Sequence, residues 1–326
     1  MNVQIKQDYH HNNDYTDSFS SDILKGLSAH PKKLSSKYFY DKTGDRLFQQ
    51  IMAMPEYYLT DCELDIFQNK TEELAKAISH INESFDLIEL GAGDAMKSSY
   101  LLKNLVDKGT DFTYMPIDIS GNILSVLQEN LNKKLPELKI VPLEGEYFDM
   151  LDKATALSKR KKVVLFLGGN IGNMENEEAR HFCSEVKRKL NPGDLFLVGF
   201  DLKKNPKTIL AAYNDPAGIT ASFNLNLLTR INRELNADFK LENFQHYQNY
   251  DPISGACRSF LVSLCDQEVH VGSRLFHFKR DEWIDMEISQ KFSEQDIKKL
   301  AVDAGFHILV EIRDAKSWFV DSVWMV

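Results

Sequence analysis

The stretch Asp86-Leu87-Ile88-Glu89-Leu90-Gly91-Ala92-Gly93-Asp94 decides how the rest of this 326-residue chain is read. The apolar run Phe85–Leu90 has the length of a buried strand and empties into E-L-G-x-G. The two glycines let the backbone turn tightly and leave no side chain between the chain and a ligand over the strand end. That is where open α/β sheets bind. A nicotinamide fingerprint needs a third glycine where the following helix packs close, and Met96 stands at that place, so a dinucleotide is disfavoured.

Outward from this strand the chain alternates short apolar runs with helical patterns. A helix over Lys97–Lys108 precedes a strand at Phe112–Ile117, and a helix from cap Ser120 precedes a strand at Lys139–Leu143. A fourth strand, Lys162–Leu167, leads to a helix over Glu175–Leu190, and the turn Asn191-Pro192-Gly193-Asp194 opens a fifth strand, Leu195–Asp201. Such alternation implies a doubly wound, mostly parallel sheet covered on both faces. The rhythm breaks over 204–285, where a helical stretch rich in Asn gives way to runs such as Ser259–Leu264 and Val269–Val271 that read as antiparallel strands. It returns with a helix from cap Ser293 to Ala304 and two last strands, Phe306–Ile312 and Ser317–Val326, making seven in all. Upstream, residues 1–35 are polar and read as a loose arm or irregular start. Thr43–Met54 is helical, and Thr60-Asp61-Cys62-Glu63 has the form of a capping box opening a helix to about Ile78. The expected division is 60–203 plus 286–326 for the α/β domain, and 1–59 plus 204–285 for a second, discontinuous α+β region.

Composition narrows the class of function. With 43% hydrophobic and 27% charged residues, the chain can bury a core. Its formal net charge of −9 supplies no basic surface for nucleic acid. No apolar run reaches a membrane span and the first residues lack a signal-peptide core, so a cytoplasmic protein is expected, with no membrane partner. Four cysteines, Cys62, Cys183, Cys257 and Cys265, form no metal-ligating spacing; they are read as reduced, and no metal is expected. No heptad pattern or exposed apolar helix stripe stands out, which makes a monomer the expectation.

The strand ends carry the chemistry. The first is similar to the leading motif of class I S-adenosylmethionine-dependent methyltransferases. The second strand ends in Pro116-Ile117-Asp118-Ile119-Ser120, and a carboxylate there can accept both hydroxyls of an adenosine ribose, although Asp118 could equally cap the helix behind it. After the third strand, Gly145-Glu146-Tyr147 offers an acid for the adenine amine and a ring to pack on the base. The fourth runs into Leu167-Gly168-Gly169-Asn170-Ile171-Gly172-Asn173, whose carboxamides beside exposed backbone suit a small polar substrate; alone, it could be an Asx-capped turn.

Longer motifs then follow one another in order: Tyr38-Phe39-Tyr40-Asp41, Pro55-Glu56-Tyr57-Tyr58-Leu59-Thr60, the G-A-G strand end, Phe166–Asn173, Ala212-Tyr213-Asn214-Asp215-Pro216-Ala217-Gly218-Ile219-Thr220, and Glu287-Ile288-Ser289-Gln290-Lys291-Phe292. Over about residues 36–326 the chain resembles the histidine Nα-methyltransferases of ergothioneine biosynthesis. The resemblance implies a Rossmann-like class I methyltransferase fold and S-adenosyl-L-methionine as methyl donor, leaving S-adenosylhomocysteine. It implies donor contacts from Gly91, Lys97, Asp118, Glu146 and Tyr147, with Glu-Tyr here in place of the family's usual Asp-Phe. It implies that Asn173 and Tyr213 hold the substrate's α-amino-carboxylate, that Tyr40 lies beside the amino group and Tyr57 contacts the imidazole, and that Glu287 and Ser289 read the ring. A carboxylate and a hydroxyl together satisfy both ring nitrogens, and a site that leaves a buried polar group unpaired rejects the wrong ring strongly.

The expected reaction is methyl transfer to the α-nitrogen of L-histidine, repeated to the trimethylated betaine, hercynine, with Tyr40 as a proton-relay contact. Cys257 stands where relatives often have a methionine near the ring pocket, and a smaller side chain there favours a bulkier ring. A methyltransferase of a tryptophan-type amino acid is therefore the rival within the fold. A non-catalytic module that binds S-adenosylmethionine is the rival from another class.

Overall fold

The computed structural model describes residues 7–326 apart from position 82, with side chains from position 18 onward. The chain forms two compact units. One comprises the described residues up to Tyr57 together with Asn205–Ser289, and the other Tyr58–Lys204 with Gln290–Val326.

The second of these is built on a twisted sheet. Its central parallel strands are Phe85–Leu90, Lys161–Phe166, Leu195–Asp201 and Phe112–Asp118. Reading across the sheet, the order is His307–Arg313, Phe319–Met325, Leu195–Asp201, Lys161–Phe166, Phe85–Leu90, Phe112–Asp118, then Lys139–Ile140 and Leu143–Glu144 sharing the far edge. Only Phe319–Met325 runs against its neighbours. Every residue of Phe85–Leu90 and of Leu195–Asp201 is buried, as strands covered on both faces must be. The strand order reverses beside Phe85–Leu90, so the turn after Leu90 opens at the topological switch point where such sheets bind ligands. This is a Rossmann-like, doubly wound, mostly parallel architecture. The third strand is split in two because Pro142 cannot donate to the ladder. A helix over Tyr147–Leu157, absent from the sequence reading, fills the connection that follows.

The other unit is α+β. Its four-stranded sheet runs Lys32–Lys33, Trp283–Gln290, Ala256–Ser263, Phe244–Tyr250, and a separate hairpin pairs Gln267–Val271 with Arg274–Phe278 across the turn at Gly272. Helices Lys42–Met52 and Ile219–Leu235 pack with this sheet around Phe39, Ile51, Phe223, Leu227, Leu261 and Met286.

Two sequence expectations are corrected. The loose arm expected over 1–35 is helical over Gln7–Ser28, with residues 1–6 outside the described set. Polar composition hid a narrow stripe of Phe19, Ile23 and Leu27, spaced four apart and buried, with Tyr38 packed edge-on against Phe19 at 4.7 Å. The capping box at Thr60–Glu63 does not exist either: the helix starts at Tyr58, ends at Asn69, and is followed by a separate helix Thr71–Ile78. Glu63 is fully buried and bonds elsewhere. Among the described residues no helix is long and apolar enough to cross a membrane.

Candidate active site

In the sheet unit, the turn after Phe85–Leu90 takes left-handed backbone at Gly91 (φ +71°) and Gly93 (φ +54°), conformations that glycine adopts at least cost. A Cβ on Gly91 would lie 2.7 Å from the Tyr147 hydroxyl, whereas one on Gly93 would meet nothing within 4 Å. The turn therefore has one wall and one open side. Asp118 ends the neighbouring strand half-buried. Its carboxylate accepts from the Gly93 amide (3.2 Å) and the Ser120 amide (3.0 Å), so the first two strand ends are tied together. Ser120 itself caps the next helix, accepting from the Ile123 amide at 3.3 Å, and this frees Asp118 from the capping role the sequence left open.

Glu146 and Tyr147 open the helix Tyr147–Leu157. Glu146 is exposed and spends no side-chain bond on the helix end. The Tyr147 ring packs edge-on against Phe166 at 6.0 Å and Phe182 at 6.5 Å, and its phenol is pushed up to about 12 by burial and by the charges of Asp118 and Glu146. It remains a neutral hydrogen-bonding group at any physiological pH. Gly91, Asp118, Glu146 and Tyr147, predicted from three separate strand ends, thus lie together.

Lys97 precedes the helix Ser98–Asp107 and pairs with the buried carboxylate of Glu63. The same carboxylate accepts the Gly168 amide with both oxygens, at 2.8 and 2.9 Å. Gly168 and Gly169 are both left-handed and lead into the short 3-10 turn Asn170–Asn173, which leaves Asn173 exposed at its end. Gly172 is required there, since a Cβ would lie 2.7 Å from the Gln290 carbonyl oxygen. Nothing in the sequence around Glu63 signalled its role, because its partners are 34 and 105 residues away.

In the α+β unit the predicted residues fall into a second group. Tyr213 ends the helix Pro206–Tyr213, is buried, and shares a 2.7 Å hydrogen bond with the hydroxyl of Ser289. Glu287 lies two positions earlier on the strand Trp283–Gln290 and is half-buried. The Tyr57 ring meets Tyr213 edge-on at 6.1 Å and Phe48 at 6.4 Å, and Phe48 in turn meets Tyr40 at 5.4 Å. Tyr40, Tyr57, Tyr213 and Ser289 are therefore joined in one run of contacts through Phe48, on the helix Lys42–Met52. Phe223 packs against both Tyr40 (5.6 Å) and Phe48 (5.8 Å). Asp215 fixes the segment behind Tyr213: its carboxylate accepts the amides of Ile219 and Thr220, each at 2.8 Å, and caps the helix Ile219–Leu235. Cys257 is buried, and its sulfur accepts from the Gln248 amide group at 3.2 Å. Among the described residues no group of three or more His, Cys, Asp or Glu is placed to hold a metal ion.

Comparison with known proteins agrees with this architecture. The sequence profile of the family described as histidine-specific, S-adenosylmethionine-dependent methyltransferases matches residues 19–326. The chain is 33% identical over 288 residues to the histidine N-alpha-methyltransferase of Mycobacterium tuberculosis (strain CDC 1551 / Oshkosh), covering 88% of each chain. It is also 33% identical over 286 residues to the histidine N-alpha-methyltransferase of Mycolicibacterium smegmatis, covering 87% of each. A 4-dimethylallyltryptophan N-methyltransferase of Claviceps fusiformis is more distant, at 27% over 311 residues, with 89% of this chain and 86% of that one covered. This chain belongs to the histidine-specific, S-adenosylmethionine-dependent methyltransferase family.

Proposed function

We propose that this enzyme transfers the methyl group of S-adenosyl-L-methionine to the α-amino nitrogen of L-histidine, successively to N,N,N-trimethylhistidine (hercynine), in ergothioneine-type biosynthesis. The observation that carries the reading is the hydrogen-bonded pair of Tyr213 and Ser289, buried, with Glu287 two residues along the same strand. A carboxylate and hydroxyls so placed suit a ring with two nitrogens, one donating and one accepting.

The sheet unit fits the methyl donor. The open side of the Gly91–Gly93 turn is a cradle that a side chain would fill, and Asp118, held by the Gly93 amide, would offer its carboxylate to ribose hydroxyls. Glu146 would take the adenine amine, Tyr147 would pack on the base, and Lys97 is the one cation among the proposed donor contacts. When bound, the donor supplies a methyl carbon made electrophilic by its sulfonium. In each turnover the nitrogen lone pair forms the N–C bond as the C–S bond breaks. The α-ammonium has given up one proton beforehand to expose that lone pair, so each of the three transfers balances, and S-adenosylhomocysteine leaves.

For the substrate, Asn173 and Tyr213 would hold the α-amino-carboxylate, Tyr57 would contact the imidazole, and Tyr40 would receive the amine proton, directly or through water. Holding the reactants aligned is worth roughly 7–11 kcal/mol of the barrier, which makes positioning the main work of these residues. The same reading has the sheet unit bind the donor and the α+β unit read a small zwitterionic amino acid. The protein then acts as a monomer in the cytoplasm, without a nucleic-acid or membrane partner. Cys257, a small side chain, favours a second reading in which an indole amino acid is methylated; Glu287 and Ser289 argue against it.

The test is mass spectrometry of histidine, tryptophan and other amino acids incubated with the enzyme and methyl-labelled S-adenosylmethionine. Three labelled methyl groups on histidine are expected. Label on tryptophan with none on histidine would overturn the substrate.

A further inference from the structure

Glu63 is an acid that the reaction as described does not use, yet it is buried and multiply bonded at the carboxyl ends of the parallel strands. Its side chain is wholly buried, it pairs with Lys97, and both oxygens receive the Gly168 amide. It lies over Gly199 on the strand Leu195–Asp201, where a Cβ would come within 2.4 Å of its oxygen. Across the ladder, Gly199 is paired with Asp321, a second fully buried acid whose two carboxylate oxygens have no hydrogen-bond partner. Three groups from distant parts of the chain, two acids and one ammonium, are thus packed together within the sheet unit.

We propose that Glu63 is a positioning residue for the methyl donor: its carboxylate fixes the Lys97 ammonium where the donor's α-carboxylate is received, and ties the Gly168 loop to the same point. This rests on the reading that Lys97 is a donor contact. Of the two acids, Glu63 is the one that pairs with Lys97. The Asp321 carboxyl is held well above its usual range by burial and then by the Glu63 charge, with only Lys97 acting against them. Asp321 makes no hydrogen bond to Lys97, so the approaching zwitterionic head group meets an ammonium paired with one carboxylate, that of Glu63. The Lys97 side chain remains 21% exposed, so it is not sealed from solvent as Glu63 is. A free lysine would lose its rotamer freedom on binding the donor; Glu63 has already imposed that order.

The experiment is calorimetric titration of S-adenosylmethionine and of decarboxylated S-adenosylmethionine, which lacks the carboxylate, into wild type, Glu63→Gln, Lys97→Met and the double variant. Glu63→Gln keeps one acceptor oxygen for the Gly168 amide while it loses the charge and the second acceptor. It should weaken the carboxylate-bearing donor by about 10- to 100-fold, the scale of a hydrogen bond to a charged group. Binding of the decarboxylated donor should change by no more than about twofold, and the double variant should match Lys97→Met, since Glu63 acts through Lys97. Equal loss on both donors would overturn the proposal, because a merely structural residue behaves that way. So would a double variant clearly weaker than Lys97→Met; this comparison also serves if Glu63→Gln alone, which leaves Lys97 unpaired, does not fold. If Lys97→Met binds the carboxylate-bearing donor as wild type does, the donor reading itself fails, and the proposal with it.

Discussion

The two glycines of the first strand end make opposite demands, and replacing each by alanine separates them. Both are left-handed, so an alanine at either position costs about 1–2 kcal/mol of backbone strain. At Gly91 the new methyl also meets the Tyr147 hydroxyl at 2.7 Å and the ring carbon behind it at 3.5 Å. Tyr147 cannot simply retreat, since Phe166 and Phe182 stand edge-on to its ring. Forcing its side chain off its rotamer adds roughly 0.5–1.5 kcal/mol. Gly91→Ala should therefore lose about 2–3 kcal/mol and melt roughly 5–10 °C lower, while Gly93→Ala, with nothing within 4 Å, should lose only the backbone part. Donor binding should reverse that order of mildness. The methyl of Gly93→Ala enters the open side of the turn, where the donor is proposed to lie, and should weaken S-adenosylhomocysteine by on the order of 10- to 100-fold, or about 1.4–2.8 kcal/mol. Thermal unfolding with and without S-adenosylhomocysteine, followed by calorimetric titration of each variant, reads both effects. If Gly93→Ala bound the product as tightly as wild type, the donor would not lie on this turn. If Gly91→Ala were no less stable than Gly93→Ala, the wall formed by Tyr147 would be wrong.

Three further outcomes are expected. Glu287→Ala should lower kcat/KM for histidine by about 10- to 100-fold with little change in the KM for S-adenosylmethionine; unchanged histidine turnover would remove Glu287 from ring recognition. Tyr213→Phe removes the 2.7 Å hydrogen bond to Ser289 and should cost about 0.5–1.5 kcal/mol of stability together with histidine affinity, and a variant that melts and binds as wild type would dissolve the pair. Glu89, fully buried with Tyr114 donating to it, has its carboxyl pushed up from 4.5 to about 7 by burial. Because the folded form holds its proton longer than the unfolded one, wild type should lose stability relative to Glu89→Gln as pH rises from about 4.5 to 7, on the order of 3 kcal/mol in all, and level off above. A difference in melting temperature that does not change with pH would show that Glu89 ionises normally.

What the sequence revealed was whatever has a local cause. Gly91, Asp118 and the Glu146-Tyr147 pair follow directly on apolar runs, and a strand end announces itself through the residues beside it. Asp215 is likewise local, four and five residues from the amides it caps. Glu63 and Phe48 had no such signal. Glu63 sits three residues after a threonine and so imitates a capping box, while its real partners come from other strand ends. Phe48 repeats at helical spacing with Leu47 and Ile51 and reads as core; that it links Tyr40 to Tyr57 depends on which helix face meets which ring. The helix over Gln7–Ser28 stayed hidden because a one-residue-wide apolar stripe barely alters its composition.

The sheet unit carries buried charge at both ends of its strands, and the two ends are built differently. At the amino ends Lys162 pairs with Asp86 at 3.0 Å, and its ammonium also donates to the carbonyls of Ser158 (3.0 Å) and Arg160 (2.6 Å), while the Ser158 hydroxyl completes the Asp86 carboxylate. Every donor is used. A buried pair so complete costs desolvation but leaves nothing for a ligand to do. At the carboxyl ends Asp201 gathers Tyr58, Lys204 and Lys291, and Glu63 gathers Lys97 and Gly168, yet neither Asp321 oxygen has a hydrogen-bond partner and the Lys97 side chain stays partly exposed. A fold selected for stability alone would have completed or removed these groups, since each unsatisfied buried polar group costs about 1–3 kcal/mol. Asp321 lies at the end of the sheet where the glycine turn also leaves room, and an unsatisfied acid there fits a fold that gives up some stability to a proposed donor site.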